Sequence, residues 1–212
     1  MYKRVLIKVS GEALSSEQAV ISRETVLKTA KMLKAVSEKG VQIGVVVGGG
    51  NIMRGRSAEG MERNRADHMG MLATAINALA LSDALEQDGV PCAVLSAVEM
   101  ERFCDTFTSR AANKALDDGK VVVFACGSGC PFFSTDTAAA LRAAEIGADA
   151  LLLAKNVDAV YSADPKTDRN AVKYGRISYD RVVAENLHAT DLTAITLCKE
   201  QGIPIRVFAL EQ

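Results

Sequence analysis

Four short stretches of this chain carry residues whose types could do chemistry. They are Lys8 in RVLIKVSG (4–11), Gly48, Gly49, Gly50 and Arg54 in VVVGGGNIMRG (45–55), Asp136 in CGSGCPFFSTDTAAALRAAEIG (126–147), and Lys155 in AKNVDAVYSADP (154–165). A lysine inside an apolar run is costly to bury unless an anion compensates it; the alternative is an edge strand whose lysine reaches solvent. Glycines that close an apolar run can turn several backbone N–H groups toward one anion, and Arg54 adds a planar fork matched to phosphate. The alternative for them is a tight turn needing positive φ. The pattern is neither the dinucleotide fingerprint G-x-G-x-x-G nor the P-loop G-x-x-x-x-G-K-[ST].

In the third stretch, Gly127 and Gly129 again punctuate the end of an apolar run. Pro131, Phe132 and Phe133 form a stiff apolar wall, and Ser134 and Thr135 sit where a helix N-cap belongs. Asp136 falls in the first turn, where it can serve the helix dipole, and the same helix end offers N–H groups to a phosphate. The fourth stretch, with Lys155, Asn156, Asp158, Tyr161 and Asp164, suits a purine and its ribose, although Asp-Pro alone is also a turn signal. Glycine loops, two lysines, an arginine and an aspartate together suggest phosphoryl transfer, which needs positioning and charge neutralisation more than a nucleophile. The two histidines, His68 and His188, give no Ser-His-Asp arrangement and no metal cluster to compete with that reading.

These residues must be positioned by elements, and the chain reads as strands alternating with helices. Strands are expected at 4–9, 41–47, 92–96, 121–126, 149–154 and 204–209. Between them lie a helix opened by Ser22 and stopped at Gly40, a Met-, Ala- and Leu-rich helix from Asp67 to about Glu86, and helices near 109–117, 136–146, 179–185 and 191–201. The 67–86 helix is apolar nearly all round, so it is expected to lie between the sheet and another layer or subunit. The alternation implies an α/β fold, a three-layer αβα sandwich around a mostly parallel sheet, in a single domain over 1–212. In such sheets ligands bind beyond the carboxyl ends of the strands, which is where all four stretches fall.

At 212 residues, 49% hydrophobic, with a formal net charge of −1, the chain can bury a real core and lacks the basic excess of a general nucleic-acid binder. Its five cysteines contain no Cys-x-x-Cys pair and read as reduced, buried thiols. Lys8 interrupts the first apolar run too early for a signal peptide, and no stretch approaches the ~20 apolar residues of a membrane span. A soluble cytoplasmic protein with no membrane or nucleic-acid partner is expected.

Taken together, the segments resemble the bacterial-type uridylate (UMP) kinases of the amino acid kinase superfamily over nearly the whole chain. The resemblance rests on YKRVLIKVSGEAL at the start, GVVVGGGN (44–51) followed by Arg-Gly, DHMGMLATAINALAL (67–81), GSGCPFFSTDTAAALRA (127–143), NVDAVYSADP (156–165), TDLTAITLC and IPIRVF. It implies transfer of the γ-phosphoryl of ATP to UMP in pyrimidine nucleotide biosynthesis, with Mg²⁺ held mainly through nucleotide phosphates, no covalent intermediate and a homohexamer built partly on the 67–86 helix. By similarity Lys8, Val9, Ser10 and Gly11 contact ATP, Lys8 stabilising the transferring group, while Arg54 clamps phosphate. Gly49 faces UMP and Gly50 faces ATP. Asp67 holds the UMP ribose, and Ser128, Gly129, Cys130, Pro131, Phe132, Phe133, Ser134 and Thr135 surround the uridylate. Asp136 orients the catalytic lysines, with Lys155 as the second of them. Asn156, Tyr161 and Asp164 match the ATP nucleoside loop, which puts the acceptor side at roughly 1–150 and the donor side at roughly 151–212.

The chain departs from the family's pattern in three places. SSEQAVIS (15–22) replaces a longer Gly-Phe-Gly type stretch used in effector binding, the loop from Arg56 to Arg65 is short, and the sequence stops at FALEQ, ahead of the family's closing strand pair. The alternatives are another kinase of the superfamily, acting on a carboxylate or carbamate, and a nucleotide-dependent anion storage protein.

Overall fold

The computed structural model describes residues 2–53, 60–187 and 190–209. Its main sheet has seven strands in the order β4-β3-β5-β2-β1-β6-β9, every neighbouring pair parallel. In chain order these are β1 (Arg4–Val9), β2 (Gln42–Val47), β3 (Cys92–Ser96), β4 (Asp105–Thr106), β5 (Val121–Ala125), β6 (Ala150–Lys155) and β9 (Ile205–Ala209). The helices between them are α1 (Arg23–Ser37), α2 (Arg63–Gln87), α3 (Ser109–Asp117), α4 (Thr135–Glu145), α5 (Tyr179–Ala184) and α6 (Leu192–Glu200). A separate antiparallel ribbon pairs β7 (Val160–Tyr161) with β8 (Lys173–Tyr174).

Strand periodicity sorts the core into two faces. Val5, Ile7 and Val9 of β1 lie with Ile43, Val45 and Val47 of β2 under α1 and α2, which contribute Ala30, Leu33, Leu81 and Leu85. The intervening positions, Leu6, Val46, Val122, Phe124, Leu151 and Leu153, face the other way onto α3, α4 and α6. Those helices answer with small residues, notably Ala139, Ala140 and Ala143 of α4, so α4 sits close to the sheet. Continuous apolar runs such as VVVFA are buried at every position because both faces are covered.

The architecture matches the expected three-layer α/β fold, with informative differences at element ends. Arg63 opens α2, four residues before the expected start, because the Glu62 side chain accepts from the Asn64 amide and caps it. The two-residue strands β4, β7 and β8 were not expected, being too short to show a period. One side of α2 packs on the sheet, while Met69, Leu72, Ile76 and Leu79 form an exposed stripe in the single chain. The five cysteines are free thiols, and burial first, then the charge of Glu86, pushes Cys92 up to about 12. No helix among the described residues is long and apolar enough to cross a membrane.

One buried polar cluster ties the end of β2 to α2. Asn77, fully buried, donates from Nδ2 to the Gly48 carbonyl and to Asn51 Oδ1, both at 2.7 Å. Asn51 donates in return to Asn77 Oδ1 at 3.1 Å and to the Val20 carbonyl at 2.8 Å. A buried acceptor stripped of its donor costs about 1–3 kcal/mol. Asn77→Ala is therefore expected to lower the unfolding free energy by at least that amount, read from the urea midpoint at unchanged slope.

Candidate active site

The period-2 rule that puts Leu6 and Leu153 on the α4 face also puts Lys8 and Lys155 there. Between them stands Asp136, in the first turn of α4. Lys8 Nζ lies 2.8 Å from Asp136 Oδ1 and Lys155 Nζ lies 2.7 Å from Oδ2, where the Thr190 hydroxyl also donates at 2.8 Å. The side chain of Lys8 is 12% exposed and that of Asp136 11%. β1 is an interior strand, between β2 and β6, so the edge-strand alternative for Lys8 does not hold. Its compensating anion is Asp136.

Burial by itself would raise the Asp136 carboxyl, but the charges of Lys8 and Lys155 and their hydrogen bonds outweigh it and bring the pKa down to about 2. The carboxylate is thus an anchor for two cations and a poor proton acceptor near neutrality. Its helix dipole role is secondary, because Ser134 provides the cap: Ser134 Oγ accepts from the amides of Asp136 and Thr137, both at 3.2 Å. Those two amides are therefore engaged by the cap. Ser134 in turn donates to Asp191 Oδ2, which joins the starts of α4 and α6.

Close approach of the chain accounts for two of the three glycines, Gly48 and Gly49. Gly48 and Gly49 are absent from the residues with positive φ. They are needed for close approach. A Cβ on Gly48 would sit 2.9 Å from the Gly11 amide, and one on Gly49 would sit 2.8 Å from the Gly70 carbonyl and 2.9 Å from Ala73 Cβ of α2. A Cβ on Gly11 would lie 2.3 Å from Asn51 Oδ1 and 2.8 Å from the Gly48 carbonyl. The Gly48 amide donates to the Val9 carbonyl at 2.9 Å and is not part of an anion nest. Val9 is fully buried, while Ser10 caps the short 3-10 turn after β1 by accepting from the Glu12 amide. Arg54, expected to clamp phosphate, lies outside the described residues.

A cleft of about 320 Å³ opens beside these glycines. Of the residues expected around the acceptor, it is lined by Gly49, Asp67, Ser128, Cys130, Phe133, Ser134 and Thr135, together with Gly50. Gly129, Pro131 and Phe132 are not in its wall: Gly129 packs on Ala97, and the exposed Phe132 ring lies 5.5 Å from the Arg63 guanidinium. Asp67 Oδ2 accepts from the Phe132 amide and from Arg63 Nε, both at 2.8 Å, so it braces the loop as well as lining the cleft. Cys126 (φ 61°) and Phe132 (φ 71°) hold left-handed backbone conformations that non-glycine residues seldom adopt. The Cys126 amide is fixed by the buried Thr74 hydroxyl at 2.8 Å. Met53, Gly70, Met71 and Thr74 also line the cleft and escaped the sequence reading. Thr74 is a polar residue in an apolar helix, a signal that was present.

A second cleft, about 290 Å³, is lined by Asn156, Asp158, Tyr161, Pro165 and Lys166 among others, starting at the residue after Lys155. Asn156 and Tyr161, expected at the ATP nucleoside, both line this cleft, and the Tyr161 hydroxyl donates to Asp158 Oδ1 at 2.7 Å. Asp164 is not in that wall; its carboxylate accepts from the Lys166 amide at 2.9 Å and shapes the turn.

The depressed pKa of Asp136 has a stability consequence. Its contribution is complete above about pH 4 and is lost as pH falls through about 2, a shift worth on the order of 2 kcal/mol. Wild type is expected to exceed Asp136→Asn in urea stability by most at pH 5–7, with the gap shrinking toward pH 2. A gap that stays constant over that range would show that the charge of Asp136 is not what stabilises the fold.

Solved structures similar to this chain include kinases. A UMP kinase from Ureaplasma parvum is 38% identical with a TM-score of 0.95, covering 100% of this chain and 92% of that one. A UMP kinase from Bacillus anthracis is 34% identical with a TM-score of 0.96, covering 100% and 88%. A uridylate kinase from Archaeoglobus fulgidus is 32% identical with a TM-score of 0.74, covering 97% and 90%. The model of the amino acid kinase family matches residues 3–209. With that span matched, the chain belongs to the amino acid kinase family.

Proposed function

We propose that the protein is a UMP kinase, transferring the γ-phosphoryl of ATP to UMP to give UDP and ADP. The observation that carries the reading is the Lys8–Asp136–Lys155 bridge, two of whose members directly adjoin residues that line two separate clefts. Asp136 follows Thr135, which lines the first cleft, and Lys155 precedes Asn156, which lines the second. UMP occupies the first and the ATP nucleoside the second. The acceptor side accordingly spans roughly 1–150 and the donor side roughly 151–212.

Mechanistically, the attacking group is a phosphate oxygen of UMP, largely ionised near pH 7, so no side-chain base is required. Asp136, with its pKa near 2 and cations at both oxygens, is suited to holding the lysines and unsuited to taking a proton. Lys8 and Lys155 meet the charge that builds on the transferring group, a form of stabilisation that acts in the transition state. The described residues hold no group of three or more His, Cys, Asp or Glu placed as metal ligands. We assign Mg²⁺ to the substrate, held mainly through the nucleotide phosphates.

The exposed stripe Met69, Leu72, Ile76 and Leu79 supports self-association through α2, and a homohexamer is the assembly we assign. The reading places the enzyme in pyrimidine nucleotide biosynthesis in the cytoplasm. A storage role is disfavoured because both lysines and the aspartate are in place around a built bridge.

The deciding experiment is ADP release with UMP, CMP and acetylglutamate offered separately as acceptors. Turnover with UMP is expected, and turnover with acetylglutamate alone would refute the assignment. In the same assay Lys8→Ala is expected to lower kcat by at least ~100-fold with little change in UMP affinity. Wild-type turnover in that variant would remove Lys8 from the chemistry.

A further inference from the structure

The Asp136 carboxylate carries a third contact that the two lysines do not explain. Thr190 Oγ1 donates to Asp136 Oδ2 at 2.8 Å, beside Lys155 Nζ on the same oxygen. The next residue, Asp191, accepts from Ser134, the residue that caps α4. Two adjacent residues ahead of α6 thus grip two residues in the first turn of α4. We propose that Thr190 is a positioning residue for phosphoryl transfer, its hydroxyl fixing the plane of the Asp136 carboxylate so that each oxygen serves one lysine. The proposal rests on the kinase reading above.

The physical case is one of torsional freedom. The last torsion of an aspartate is broad, with little intrinsic preference for one plane. Lys8 and Lys155 restrain that plane only while they are paired to the carboxylate, and they are the groups for which incoming phosphates compete. The neutral hydroxyl of Thr190 is not such a group. It can therefore keep Oδ2 in place while the ammonium groups shift toward the nucleotide. The bond from Asp191 to Ser134 holds the Thr190 segment against α4, so the restraint is anchored at both ends.

The test uses the full chain with Thr190→Val, which keeps the shape and loses the hydroxyl, and Thr190→Ser, which restores it. With UMP and MgATP, Thr190→Val is expected to lower kcat about 10-fold, the size of one hydrogen bond to a charged group. Both KM values are expected to stay within about twofold, and Thr190→Ser to recover most of the rate. A second measurement needs no turnover. Titrated by NMR, the Asp136 carboxyl carbon is expected to show a higher pKa in Thr190→Val, because a bond to the charged form is gone. Among the described residues, Lys8 from β1, Lys155 from β6 and Asp191 ahead of α6 are the charged groups tied to it directly or through Ser134, and all remain in the variant. An unchanged carboxyl titration, a wild-type kcat in Thr190→Val, or a loss that Thr190→Ser fails to recover would each overturn the proposal. Should the wild type not phosphorylate UMP, the kinase reading falls, and the carboxyl titration still decides whether Thr190 holds Asp136.

Discussion

A lysine carried inward on a central strand is tolerable only if an anion meets it, and here one carboxylate meets two. Removing one partner from a buried ion pair costs about 3–5 kcal/mol, because the other is left uncompensated. The arrangement of Lys8, Asp136 and Lys155 is therefore both a structural necessity and a store of positive charge facing the sheet edge. Substrate phosphates can take over part of the role that Asp136 plays in the free protein. The lysines then exchange one set of anions for another and are not stripped bare.

The rest of the fold serves that exchange. Parallel strands bring the loops after β1, β2, β5 and β6 to a single edge, and alternation turns both lysines to the same side. The alanines of α4 let its backbone lie close over β1, β2 and β6, which puts the first turn within reach of both ammonium groups. Larger residues at 139, 140 or 143 would lift Asp136 away from them. Packing size on one helix and charge placement on two strands are thus a single specification.

Much of this was legible in the residues. Apolar runs bounded by glycine marked the buried strands, and Lys8, Asp136 and Lys155 stood out as charges where charges are costly. What could not be read was contact between distant segments. Thr190 and Asp191 look like an ordinary helix start, and only the fold brings them against Asp136 and Ser134, more than fifty residues earlier. The glycines show the same limit. Their absence of side chains signalled close approach correctly, but what comes close to Gly48 and Gly49 is the chain itself. Phe132 was read as part of a wall for its ring, and the fold adds a contact that the ring did not suggest, its amide donating to Asp67.

The contact between Gly11 and Gly48 has a bearing on precision. The turn after β1 and the turn after β2 lie so close that a Cβ on Gly11 or on Gly48 would press on the other's main chain. Their separation is consequently set by van der Waals contact between two backbones. If the donor and acceptor nucleotides are registered against these two turns, their mutual distance is gauged by the polypeptide's own thickness. Evolution could then vary the surrounding side chains, and with them affinity and selectivity, without recalibrating the reach of the transfer.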